Sequence, residues 1–166
     1  MFNLYRAGLY AAACCMWFAS TQVSAGDAAG PHLSDTLQPS PDLSPREVVA
    51  IQLEALRHNP ADDKGIEVVY RFAAPSNRAN TGPLSRFTRM IKNGPYALML
   101  NFDSVLYDRT VIKGERARLR VVVTSAERKF GYTFILGRQT SAPYEGCWMT
   151  EMVSVVPLGG QLALAH

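Results

Sequence analysis

At Asn101 the hydrophobic pattern of the chain changes its period, from about 3.6 residues to about 2. Before that point the apolar positions recur with helical spacing. After it they alternate, as on strands with one face buried. Helices followed by strands read as an α+β domain, with the helices packed on one face of the sheet.

Three helices are expected ahead of the switch. The first opens at Ser44-Pro45-Arg46-Glu47, an N-cap followed by Pro at the first helical position and a capping-box Glu. Val48, Val49, Ile51, Leu53, Ala55 and Leu56 then fall on one wide face. Asn59-Pro60 stops it. The second helix is expected from about Gly65 to Ala74, with Pro75 as its stop. The adjacent acids Asp62 and Asp63 lack the spacing of a metal site and fit the N-terminus of this helix. A polar connector, Ser76 to Thr81, leads to a third helix from Pro83, with Leu84, Phe87, Met90 and Ile91 as its stripe and Asn93-Gly94-Pro95 as its end. Four strands follow, at about 102–112, 116–124, 129–138 and 147–156. Short connections make them a curved antiparallel meander, cone-like over the helices. Apolar residues on the second face, such as Val122 and Ile135, fit a covered outer face and hence a homodimer.

The amino terminus reads as an export signal. A short basic n-region and the apolar run Ala7–Ala19 precede Val23-Ser24-Ala25, a small-x-small cleavage site. The expected organisation is a signal peptide at 1–25, a flexible leader at 26–43, the folded domain at 44–157 and a loose tail at 158–166. The expected location is periplasmic or secreted. A lipid anchor on Cys14 and an organellar lumen are the alternatives. The apolar run is too short for a stable membrane span. Cleavage leaves Cys147 as a single cysteine, which reads as a small buried hydrophobe.

Composition narrows the chemistry. The net charge of +3 is spread along the chain, so no nucleic-acid partner is expected. The three His, at positions 32, 58 and 166, form no triad or zinc set, and no metal or cofactor is expected. No Gly-rich phosphate loop or nucleophile elbow occurs. Arg116, Arg118 and Arg120 alternate along one strand as a solvated face.

The polar groups that can converge on the apolar interior are Gln52, Tyr70, Asn77, Arg78, Asn80, Asn101, Asp103 and Trp148. Gln52 projects from the middle of the apolar face of the first helix. Either it bonds a partner in a packed core or it lines the polar patch of a pocket. Arg78 can tether the connector to a carboxylate or to strand carbonyls. Gln52, Tyr70, Asn77, Arg78, Asn80 and Trp148 make the expected ligand-binding set, for a small apolar ligand. Asp103 as a raised-pKa base with Tyr70 as a donor is the one catalytic pair available, for a cofactor-free lyase or isomerase. Asp103 also fits a turn cap at the strand start.

Three runs carry a family resemblance: SPREVVAIQLEAL (44–56), GIEVVYRFAAPSNRANTGPLSRFTRMI (65–91) and CWMTEMV (147–153). With them the domain resembles domain of unknown function 4864, a family of uncharacterised bacterial and plastid proteins. That resemblance brings no catalytic residue. The order of elements also resembles the nuclear-transport-factor-two-like, or ketosteroid-isomerase-like, cone fold, which implies shape only. Together these readings expect an exported binding or accessory domain, with the enzyme as the second reading.

Overall fold

The structure, a computed structural model, describes residues 37–156 and Leu158. The expected signal peptide, the lipid-anchor alternative at Cys14, positions 26–36 of the leader and positions 159–166 of the tail lie outside the described residues. Four α-helices come first: α1 (Pro45–Arg57), α2 (Lys64–Arg71), α3 (Pro75–Thr81) and α4 (Leu84–Lys92). A 3-10 helix, Gly94–Met99, leads to five strands: β1 (Ser104–Tyr107), β2 (Val111–Lys113), β3 (Arg116–Ser125), β4 (Arg128–Arg138) and β5 (Trp148–Val156). The fold class is α+β, with an open antiparallel sheet in the order β1-β3-β4-β5.

α1 begins where its caps require. The Ser44 N–H donates to the Glu47 carboxylate at 2.8 Å, and the Glu47 N–H donates to Ser44 Oγ at 3.3 Å. The hydrogen bonds from Ser44 hold the Glu47 carboxyl below the usual range for a glutamate. Val48, Val49, Gln52, Leu53 and Leu56 form the buried face. At the start of α2, Asn59 Oδ1 accepts from the Ile66 N–H at 3.2 Å. Asp63 takes the left-handed conformation there, φ 62°. Its carboxylate accepts from Lys92 Nζ at 2.9 Å, tying the start of α2 to the end of α4.

The helices depart from expectation in three places. α2 ends at Arg71 rather than Ala74, because Phe72–Ala74 leave the helix to pair with β5. The Ala74 N–H donates to the Thr150 carbonyl at 2.8 Å, and the Thr150 N–H to the Phe72 carbonyl at 3.0 Å, a short parallel bridge. The connector is a helix, α3, opened by Pro75 at its first position. The leader begins to fold before Leu43: Leu37 and Leu43 pack against the core, and the Leu37 carbonyl accepts from Arg71 Nη1 at 2.8 Å.

The sheet has five strands rather than four. The expected first strand is broken at Asp108–Thr110, so that β1 pairs with Val121–Thr124 and β2 with Arg116–Arg118 of the same neighbour, β3. Asp108 still donates its N–H to the Arg120 carbonyl at 2.9 Å, and its Oδ1 accepts from the Arg109 N–H at 2.7 Å where the ladder is interrupted. β3 and β4 join through Ala126 and Glu127, both at positive φ (47° and 64°). Two such residues make the turn whose twist matches the flanking strands. In β5 the pairing passes from Ile135↔Met152 to Leu136↔Thr150, which leaves Glu151 as an extra residue, a β-bulge.

The core lies between α1, α2 and the inner face of the sheet. Leu119, Val121 and Val123 of β3, with Tyr132, Phe134 and Leu136 of β4, meet Val48, Val49, Leu53, Ile66 and Phe72, all nearly or fully buried. The Tyr132 hydroxyl donates to the Pro95 carbonyl at 2.7 Å and pins the 3-10 helix over the sheet. Burial pushes the Tyr132 phenol up to about 12.

Candidate functional site

A cavity of about 300 Å³ lies where α1, α2, α3 and α4 approach β5. Its body is apolar, lined by Leu56, Val69, Phe87, Met90, Ile91, Met99 and Phe134. Gln52, Asn77, Asn80, Thr81 and Thr150 supply its polar side chains, together with Tyr96, and Glu151–Val153 of β5 complete the wall. An apolar cleft with a few placed polar groups is the usual form of a small-molecule site.

Thr150 organises the polar end. Its backbone is engaged by Phe72 and Ala74, and its carbonyl also accepts from Asn77 Nδ2 at 3.1 Å. Its hydroxyl accepts from Gln52 Nε2 at 2.8 Å, and Gln52 Nε2 also reaches the Val48 carbonyl at 3.1 Å. Gln52 is 1% exposed and Thr150 2%. Burial at that level requires partners, and no buried side-chain nitrogen or oxygen among the described residues lacks one. The two readings of Gln52 are therefore both realised, since the amide is bonded internally and a cavity lies beside it.

α3 gives the cavity its other polar groups. Thr81 Oγ1 donates back to the Asn77 carbonyl at 2.8 Å and lies 3.3 Å from Asn77 Oδ1. Asn80 is exposed and lines the same cavity. The Tyr96 hydroxyl donates to the Val153 carbonyl at 2.9 Å, joining the 3-10 helix to β5. Glu151 contributes to the wall, but its carboxylate lies over Gly137, where a Cβ would collide with it. There it accepts from Arg116 Nη2 at 3.0 Å.

Of the expected ligand-binding set, the cavity unites Gln52, Asn77 and Asn80. Tyr70 packs its ring against Phe87 at 5.2 Å, between tilted planes, and is not part of the lining. Arg78 reaches no carboxylate among the described residues; its guanidinium sits over the Tyr144 ring at 5.1 Å. A planar guanidinium stacks on an aromatic face as readily as it pairs with a carboxylate. Trp148 packs against the main core. Asp103 is exposed and accepts from the Ala126 N–H at 3.0 Å, so its carboxylate caps the β3–β4 turn and does not face the cavity with Tyr70. Asn101 takes positive φ, 51°, at the start of the loop before β1. Cys147 is buried with Ala74 and Met149, and burial pushes its thiol up.

Thr150, Thr81 and Tyr96 are the polar site residues that sequence reasoning missed. A Thr within a strand carries no signal of its own. The position of Thr150 opposite Gln52 depends on the bulge at Glu151, which no Gly or Pro marks.

A family model matches residues 40–158. The chain belongs to the family Domain of unknown function (DUF4864). The match begins three residues before Leu43 and runs through β5, so every element that builds the cavity of this DUF4864 domain lies within it. No curated protein and no solved structure matches the chain.

Proposed function

We propose that this DUF4864 domain binds a small, uncharged and mainly apolar molecule in the cavity beside Thr150, as a binding or accessory protein rather than as an enzyme. One observation carries the reading: among the described residues, the side chains offered to the cavity are apolar or are amides and hydroxyls, and the only carboxylate in its wall is held by Arg116 on the other side of the sheet. A charged ligand buried there would find no counter-charge. A general acid or base would have to come from outside the lining. The alternative, a lyase or isomerase resting on Asp103 and Tyr70, lacks support from Asp103, whose carboxylate is committed to the Ala126 N–H. Kinship with the cone folds is part of the proposal, supported by helices that precede and cover an antiparallel sheet. Export also belongs to it, supported by the amino-terminal pattern.

Labelled methionine methyls test it. Met90 and Met99 line the cavity, and their NMR signals should shift on titration with neutral apolar fragments, but not with matched carboxylates or amines. Ala73, buried in the lining, supplies the control: Ala73→Leu should suppress those shifts while the domain still folds. Shifts that survive Ala73→Leu, or equal responses to charged analogues, would refute the proposal.

A further inference from the structure

The face of the sheet turned away from the helices has a composition of its own. Strand pairing sets Val111, Arg118, Ile135 and Met152 in one row across β2, β3, β4 and β5. The row floors a groove of about 400 Å³. Met152 is 53% exposed, and Leu106 of β1 and Val111 of β2 are 67% and 37% exposed. Large apolar side chains this exposed, gathered on one surface, mark an interaction site.

Charge identifies the occupant. Arg116, Arg118 and Arg120 are successive outward positions of β3, with Lys113 of β2 opposite Arg116. Two acidic groups lie among them: Glu151, which pairs with Arg116, and Asp108, whose N–H donates to the Arg120 carbonyl at 2.9 Å. Arg118 and Arg120 have no acidic partner among the described residues. A twofold face-to-face dimer would bring these arginines toward their own copies, at a cost in like-charge repulsion. An anionic bilayer surface satisfies both properties at once. Its headgroups neutralise guanidinium and ammonium groups, and apolar side chains enter the boundary beneath. Binding would be peripheral, since no helix among the described residues is long and apolar enough to cross a membrane.

We propose that the outer face of the sheet docks on an anionic lipid surface, through Arg118, Arg120 and Lys113 with Val111, Leu106 and Met152 beside them. Met152 lines both the groove and the cavity wall, but Arg118 and Arg120 lie outside the cavity lining, so variants at these two arginines test this proposal independently of the ligand proposal.

Co-sedimentation of the full chain with vesicles tests it. Vesicles of equal parts phosphatidylglycerol and phosphatidylcholine should pellet the protein at low salt. Vesicles of phosphatidylcholine alone should not, and added salt should release the bound fraction. Each basic side chain near an anionic surface strengthens binding roughly fivefold. Arg118→Glu with Arg120→Glu should therefore weaken binding roughly 25-fold or more, whereas Arg118→Lys with Arg120→Lys should retain most of it. Both positions are exposed, and the melting curves of the two variants should match the parent and show that the fold is kept. Val111→Ser should lower the salt-resistant part of the binding. No pelleting, equal pelleting with neutral vesicles, or charge-reversed variants that bind as the parent does would each overturn the proposal. So would a concentration-dependent dimer in light scattering that the charge reversal abolishes, because the face would then belong to a second copy.

Discussion

Replacing Gln52 and Thr150, singly and together, probes the polar end of the cavity directly. In Gln52→Leu the Thr150 hydroxyl loses its partner, which stood at 2.8 Å. An unsatisfied buried hydroxyl costs about 1–3 kcal/mol, and the added apolar burial of Leu offsets roughly 1 kcal/mol of that. In Thr150→Val, Gln52 Nε2 keeps the Val48 carbonyl at 3.1 Å, while its Oε1 loses the hydroxyl 3.2 Å away. In the double variant two apolar side chains face each other and no polar group is stranded. The double change should then cost less than the sum of the single changes by about 1–3 kcal/mol. Urea unfolding, fitted with a shared slope, measures that coupling. In thermal unfolding each kcal/mol corresponds to about 3–6 °C for a domain of this size. Additivity to within about 0.5 kcal/mol would refute the reasoning. It would mean that water in the neighbouring cavity satisfies whichever group is left, and that the direct bond adds nothing.

The remaining predictions concern the scaffold. Tyr132→Phe leaves the Pro95 carbonyl without its donor and should destabilise by about 1–2 kcal/mol in urea unfolding. Because folding raises this phenol to about 12, the folded state keeps a proton that the unfolded state has already lost above its ordinary value near 10. Stability of the parent should thus fall as pH rises from about 10 to about 12, and Tyr132→Phe should flatten that limb. An unchanged alkaline limb in the variant would dissociate the loss from Tyr132. Ala126→Asn with Glu127→Gly places residues suited to positive φ in the β3–β4 turn and should stabilise by about 1–2 kcal/mol, read as a rise in melting temperature. A fall would show that the parent side chains make contacts there worth more than the relieved backbone.

Much of the fold is written locally, and the departures arise where distant segments meet. The capping box at Ser44 and Glu47 and the buried stripe of α1 need only neighbouring residues, and both are present as read. The alternation in β3 and β4 likewise needs only a strand with one face on the core. α3 has no apolar period and no buried residue. Its side chains therefore look like a loop in sequence, and only the bond from Asn77 to the Thr150 carbonyl shows what holds it. The early end of α2 has the same origin, since Phe72 and Ala74 exchange helical bonds for bonds to β5. Gln52 was legible because an amide inside an apolar stripe breaks a pattern. Thr150 was not, because hydroxyls are ordinary in strands, and its partner lies 98 residues away in the chain. Asp103 illustrates ambiguity of a different kind: a carboxylate at a strand start suits a turn or a cavity equally well until the position of the Ala126 N–H is known.

The extra residue at Glu151 is in effect a phase shift in the final strand. Upstream of it Thr150 points inward with Leu136, and downstream Met152 shares the outer row with Ile135. Were Glu151 drawn into the ladder instead, strict alternation would put 150 and 152 on the same side. Anchoring Thr150 against Gln52 would then turn Met152 inward and Val153 outward, and the wall of the cavity and the floor of the outer groove would trade side chains. Deleting Glu151 would do the opposite: 150 and 152 would become consecutive, and both faces would stay as they are. The unpaired residue is thus what lets one strand serve the cavity and the outer groove with the same run of side chains.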